Sequence, residues 1–108
     1  MKKDNQVYLR DILKAIEKIE SYVKNTDIKT FSREDMRHDA VIRQLEIIGE
    51  AVKRLSNEFA SKNPSFPIKE AINMRNFLLH GYDDVDLEVV WKTVKEDIPI
   101  LKQSLKNL

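Results

Sequence analysis

Between Met36 and Phe59 the chain contains no proline and one glycine. Its apolar residues return at nearly every third or fourth position: Met36, Ala40, Val41, Leu45, Ile48, Val52, Leu55 and Phe59. Steps of three and four lay these side chains along one stripe of a helix about seven turns long, the longest expected in the chain. Ile47 and Ala51 widen the stripe. A helix apolar over more than one face is expected to touch more than one partner, which points to a buried dimer surface. The composition suits such helices, with 34% charged residues for wet faces and only two Gly and three Pro as breakers.

The remaining periodicity divides into three further helices. From about Tyr8 to Tyr22, the residues Leu9, Ile12, Leu13, Ile16, Ile19 and Val23 form one stripe. Asn25-Thr26-Asp27 ends it, and a loop is predicted through Thr30. Ser32-Arg33-Glu34-Asp35 has the form of a capping box and predicts the start of the long second helix. Asn63-Pro64-Ser65-Phe66-Pro67 is the clearest loop, and Pro67 suits the first turn of a third helix, where a missing N–H costs nothing. Ala71, Ile72, Leu78 and Leu79 give that helix its stripe, and Gly81 is its natural stop. Asp86 is placed to cap a fourth helix carrying Leu87, Val90, Trp91, Val94, Ile98, Leu101 and Leu105, with Trp91 in the core. Pro99 falls inside this pattern and predicts a kink or short break near Ile98. The expectation is an all-α antiparallel four-helix bundle, its last helix kinked or split, in a single domain over residues 1–108.

Several chemistries are excluded. With no cysteine there is no disulfide, thiolate metal site or Cys nucleophile. Glu-x-x-His and His-Glu-x-x-His pairs and glycine-rich phosphate loops are absent, and two distant histidines do not make a zinc site. A net charge of +1 does not advertise a polyanion partner, so RNA binding would need a local patch or one shared by two chains. Met1 to Gln6 is not followed by the apolar run of a signal peptide, and no stretch is apolar enough to span a membrane. A soluble, cytoplasmic protein is expected.

Met74-Arg75-Asn76-Phe77-Leu78-Leu79-His80-Gly81-Tyr82 gathers a guanidinium, an amide, an imidazole and a phenol at one helix end. Arg75 and His80 lie about 140° apart around an ideal helix. Their tips meet only if the helix ends at His80 or a second chain supplies a partner. Asn76 is four residues before His80 and can fix its orientation and tautomer. Read from the residues alone, Arg75, Asn76 and His80 are either a site or a satisfied hydrogen-bond cluster at the bundle end. Arg33 and His38 repeat the spacing but lack that context, and are read as solvated helix surface. On helix two, Asp39, Arg43, Glu46 and Glu50 follow at steps of four, three and four. They are either surface ion pairs or a polar stripe facing Arg75 and His80, with Gly49 permitting close helix approach. Lys92, Lys95, Lys102 and Lys106 read first as a solvated face and second as an RNA patch.

Arg75-Asn76-Phe77-Leu78-Leu79-His80-Gly81-Tyr82 resembles the Arg-x4-His-x-Tyr signature of the HepT-like (DUF86) toxins of the HEPN superfamily. The resemblance extends to Val41-Ile42-Arg43-Gln44-Leu45-Glu46-Ile47-Ile48-Gly49-Glu50-Ala51 on helix two. It continues through Val90-Trp91-Lys92-Thr93-Val94 and Asp97-Ile98-Pro99-Ile100-Leu101 on helix four. One departure is Ile68 after the loop proline, where the family often has Trp. The resemblance implies an all-helical homodimer that needs no cofactor or metal. It would be the endoribonuclease toxin of a type VII toxin-antitoxin pair, with Arg75 and His80 catalytic in a cleft at the dimer interface. Asn76, Glu50 and Arg43 would support them. It also implies, as cognate antitoxin, an MntA-like minimal nucleotidyltransferase that AMPylates Tyr82. The rival expectation is a non-catalytic helical subunit that partners a nucleotidyltransferase and binds nucleotide; a purely structural dimeric bundle is a third.

Overall fold

The structure, a computed structural model, describes residues 4–80 and 85–108, and the side chains of all of these but 78–80. Every regular element among the described residues is helical: α1 (Asn5–Val23), α2 (Ile28–Arg33), α3 (Asp35–Lys53), α4 (Asn57–Lys62), α5 (Ile68–His80), α6 (Leu87–Lys92), and α7 (Ile98–Lys106), with one wide turn over Thr93–Asp97 joining the last two. The long elements α1, α3, α5 and the joined α6–α7 form the expected antiparallel bundle. The short helices α2 and α4 lie in its connections. Helix α3 is the centre, packing on α1 along one flank and α5 along the other, while α7 returns against α1 and α6 against α2.

The stripes predicted from spacing supply most of the core, but Leu13 and Met36 stand exposed, and the side chains of Leu78 and Leu79 lie outside the described residues. Ile12, Ile16 and Ile19 of α1 and Val41, Leu45 and Ile48 of α3 are fully buried, and Val90, Val94, Ile98 and Leu101 close the bundle from the last helix. Trp91 lies half-buried at the margin of this cluster, its ring 5.1 Å from that of Phe31 and covered by the Lys95 ammonium 4.7 Å away. Ile68 is a packing residue at the same margin. Of the four lysines read as a solvated face, Lys102 also pairs with Glu20 at 2.9 Å.

The first helix ends as expected, and three other boundaries differ from expectation. Asn25 stops α1 in the left-handed region, at φ 56°, which Asn tolerates better than most residues. The predicted loop through Thr30 is largely α2, because Asp27 accepts a hydrogen bond from the Thr30 N–H at 2.8 Å and starts a helix there. Ser32 consequently lies inside α2, and the capping box is not the cap of α3, which begins at Asp35 behind Glu34 without a side-chain cap. The long helix does not reach Phe59 unbroken. It ends at Lys53, and Ser56 starts α4 by accepting from the Phe59 N–H at 3.1 Å. Asn5 holds that cap across the fold, donating to the Ser56 hydroxyl at 3.0 Å and accepting the Ser56 N–H at 3.1 Å.

Asp86 caps α6 as expected, accepting from the N–H groups of Glu88 and Val89. Pro99 also has its consequence where predicted: the Ile98 N–H bonds the Thr93 carbonyl, five residues back, so the helix widens for one turn before the proline and resumes as α7. The reading of His38 as solvated is wrong. Its side chain is only 13% exposed, set edge-on to Phe31 with ring centroids 6.0 Å apart and Nε2 3.2 Å from Asp35. Its Nδ1 is buried and makes no hydrogen bond, although the Asp39 carboxylate is 3.3 Å away. Helix α2, unforeseen as an element, brings Phe31 to this ring. No described helix is long and apolar enough to cross a membrane.

Candidate functional site

Helices α3 and α5 meet at Gly49. A Cβ built there would lie 2.2 Å from the Cβ of Arg75, and 2.8 and 2.9 Å from its Cδ and Cγ, so the missing side chain is the space Arg75 occupies. The close approach allowed by Gly49 is what lets Arg75 lie against α3. The next residue of α3, Glu50, receives the guanidinium: Arg75 Nη2 is 2.7 Å from Glu50 Oε2. The second carboxylate oxygen of Glu50 faces Arg54 Nη2 at 3.5 Å, so one carboxylate bridges two guanidinium groups. Arg43 lies 3.5 Å from Glu46, one turn earlier on α3.

These side chains line a cleft of about 560 Å³ whose floor is α3. Arg43, Glu46, Ile47, Glu50, Ala51 and Arg54 contribute from α3, Arg75 from α5, and Tyr8 and Asp11 from α1. Arg75 is the most enclosed of the arginines, with 20% of its side chain exposed against 59% for Arg54 and 68% for Arg43. A guanidinium held by a carboxylate at a cleft wall keeps its free N–H donors in a fixed plane, the geometry that receives a phosphate oxygen.

Of the residues singled out from sequence, the structure therefore brings Arg43, Glu46, Glu50 and Arg75 to one cleft. The polar stripe of α3 faces Arg75, and Asp39 stands apart from it beside His38. Asn76 is exposed on the next position of α5. His80 is the last residue of α5, and its side chain, with Gly81 and Tyr82, lies outside the described residues. Sequence reasoning missed Arg54, Tyr8 and Asp11. Arg54 had a local signal, its spacing of four from Glu50. Tyr8 and Asp11 had none, since only the packing of α1 on α3 carries them to the cleft.

The family model of ribonuclease HepT-like proteins matches residues 12–108. The chain is 45% identical over 108 residues to a protein of Thermococcus cleftensis named "Probable ribonuclease HepT", covering 100% of this chain and 98% of that one. It is 40% identical over 105 residues to a "Putative RNase" of Methanocaldococcus jannaschii, covering 97% of this chain and 96% of the relative. A longer protein of the same archaeon, named "Gamma-glutamylcyclotransferase and putative RNase", is 46% identical over 108 residues, and there the chain spans 49% of the relative's length. No solved structure matches. A match over nearly the whole chain, with relatives aligned almost end to end, makes this protein a member of the ribonuclease HepT-like family.

Proposed function

We propose that the protein is a metal-independent endoribonuclease, the toxin of a HepT/MntA-like type VII toxin-antitoxin pair, acting through Arg75 and His80. The observation that carries this reading is the seat of Arg75: its aliphatic stem is packed into the gap left by Gly49, and its guanidinium is anchored by Glu50 at 2.7 Å and presented with Arg54 to a cleft large enough for a nucleotide. The ribonuclease names of the relatives support it independently.

RNA carries its own nucleophile, so the enzyme must move protons and stabilise charge. The 2′-oxygen attacks phosphorus and gives up its proton to a base, the bond to the 5′-oxygen breaks, and that oxygen takes a proton. The products are a 2′,3′-cyclic phosphate and a 5′-hydroxyl. An imidazole titrating near neutrality suits either proton transfer, the role assigned to His80. A permanently charged guanidinium suits the negative charge of the phosphorane, the role assigned to Arg75. Glu50 positions Arg75, Arg43 adds charge to the cleft, and Asn76, four residues before His80, orients the imidazole. Arg75 and His80 lie about 140° apart on α5. A second copy of the chain, in a homodimer, would supply each with its neighbour.

Neutralisation is assigned to Tyr82. Its phenol oxygen would attack the α-phosphorus of ATP on an MntA-like nucleotidyltransferase, releasing pyrophosphate and leaving AMP on the ring. Bulky anionic groups two residues from His80 would then exclude the RNA phosphate by sterics and like charge.

The test is cleavage of total cellular RNA in EDTA by wild type, Arg75→Ala and His80→Ala, purified identically and checked for folding. Expected are cyclic-phosphate ends from wild type and none from the variants. A strict Mg²⁺ requirement, or equal activity in His80→Ala, refutes the mechanism. Cleavage by none of the three, with intact mass showing unmodified Tyr82, favours a helical subunit that only binds nucleotide. Tyr82→Phe should cleave RNA yet escape the nucleotidyltransferase; silencing of that variant refutes the modification.

A further inference from the structure

The mechanism above leaves the α1 wall of the cleft without a task. Among the charged side chains lining the cleft, Arg43 pairs with Glu46, and Glu50 with both Arg54 and Arg75. Asp11 is in no ion pair among the described residues, and it is exposed. Tyr8 lies one helical turn before it on the same face of α1, its ring half-buried against the core margin. A carboxylate repels phosphate, so this pair serves no purpose in holding the RNA backbone. It does suit a base: an aromatic ring offers a stacking face, and a carboxylate offers two acceptors and no donor.

We propose that Tyr8 and Asp11 form a nucleobase subsite, that it takes an unpaired guanine, and that it thereby selects where a single strand is cut. The proposal rests on reading the cleft as an RNA site. Guanine presents two adjacent donors on its pairing edge, the ring N1–H and the exocyclic amine, and both oxygens of Asp11 can accept from them at once. Adenine and cytosine present one donor beside an acceptor nitrogen, and uracil one donor between two carbonyls, so each sets a lone pair against the carboxylate. Stacking on Tyr8 tolerates any base, which leaves the choice to Asp11. The pairing edge is free only in unpaired RNA, so a duplex is a poor substrate. With the phosphate on Arg75 and Arg54, the base reaches across α3 to α1 within the same cleft.

Two readouts on the full chain test this. Single-stranded oligouridines carrying one central guanosine, adenosine, cytidine or inosine, all 2′-O-methylated to block cleavage, are titrated in EDTA by fluorescence anisotropy. The unmethylated forms are assayed for cutting. Guanosine should bind about tenfold or more tighter than adenosine, the discrimination expected of a bidentate base contact. Inosine, which keeps N1–H and lacks the amine, should fall between. Asp11→Asn, a change at an exposed position, should bring all four oligonucleotides to within about twofold of one another, while Tyr8→Ala should weaken all four. Equal affinities in wild type, or a guanosine preference that survives Asp11→Asn, overturns the proposal. Cutting without base preference overturns it too, and leaves the nuclease standing. Guanosine-selective binding without cutting keeps the subsite and removes the nuclease.

Discussion

Gly49→Ala is the sharpest test of the packing that places Arg75. The Gly49 backbone is not in the left-handed region, so alanine is compatible with it, and on an open helix face the change would stabilise by about 0.8–1 kcal/mol. At this position the new Cβ would lie 2.2 Å from the Arg75 Cβ. Carbon atoms pack at about 3.5–4.0 Å, so the contact falls short by roughly 1.3 Å or more. A change of rotamer brings no relief, because the Arg75 Cβ is fixed to the backbone of α5. Helices α3 and α5 must part instead. With no rotamer to relieve it, the clash belongs to the upper part of the range for overpacking, about 2–3 kcal/mol, and after the helix-propensity gain a net loss of about 1–2 kcal/mol remains. For a chain of this size that lowers Tm by roughly 5–10 °C. Thermal and urea unfolding followed by circular dichroism measure it, and RNA cleavage should fall as Arg75 leaves its place. Adding Arg75→Ala should not restore stability, since that variant keeps the clashing Cβ. A Gly49→Ala protein as stable as wild type, or more stable, would refute the close approach of the two helices.

Phe31→Ala empties a fully buried site and should cost about 3–5 kcal/mol. The fluorescence of the single tryptophan, Trp91, should shift red with it, and an unchanged spectrum would contradict the ring contact. Ser56→Ala should cost about 1 kcal/mol by uncapping α4; because Asn5 bonds the same residue, Asn5→Ala and Ser56→Ala should be non-additive, and simple additivity in urea midpoints would count against the bridge. The Thr30 N–H and hydroxyl hold the Asp27 carboxyl below its ordinary value. Its contribution is therefore present above the unfolded-state pKa and lost as pH falls through the lower folded-state one, so the stability gap between wild type and Asp27→Ala should close in acid and not in base. If Arg43, Arg54 and Arg75 are the phosphate contacts, the log–log salt dependence of single-stranded RNA binding should have a slope near −2, at about −0.7 per contact. A slope steeper than about −4 would point to a wider basic surface, such as the lysines of α6 and α7.

The helical class and the stripes that form the core were legible because apolar spacing is a local property, and every long helix carries it. The breaks were harder. Apolar residues continue in register from Met36 to Phe59, and nothing in that periodicity shows that Ser56 will be claimed by Asn5, fifty-one residues away, and open a new helix. Ser32 failed as a cap for the opposite reason. Its four-residue motif was sound, but Asp27, five residues earlier, had already started a helix through it. At the cleft, Gly49, Glu50 and Arg75 could be named from sequence, since a glycine and a carboxylate within an apolar run require a reason. Tyr8 and Asp11 could not, because an aromatic and an acid near a helix start are ordinary until another helix lies against them.

The charge arrangement of the cleft bears on how a ribonuclease reading can hold without a strongly basic protein. A nuclease that relies on side chains must supply the positive charge a phosphorane needs, and a surplus of arginine would bind any polyanion and retain the product. Here the arginines that line the cleft are matched by Glu46 and Glu50, in keeping with a net charge of +1 for the whole chain. Glu50 can bridge Arg54 and Arg75 only by dividing its two oxygens between them, at 3.5 and 2.7 Å. An incoming phosphate oxygen therefore competes most easily for Arg54, whose hold on Glu50 is long and exposed, and meets Arg75 already oriented. On this reading Glu50 is less a neutraliser than a spacer. It keeps two guanidinium groups from repelling one another across an open cleft, and leaves the more enclosed one, Arg75, aimed at the position where charge would develop during cleavage.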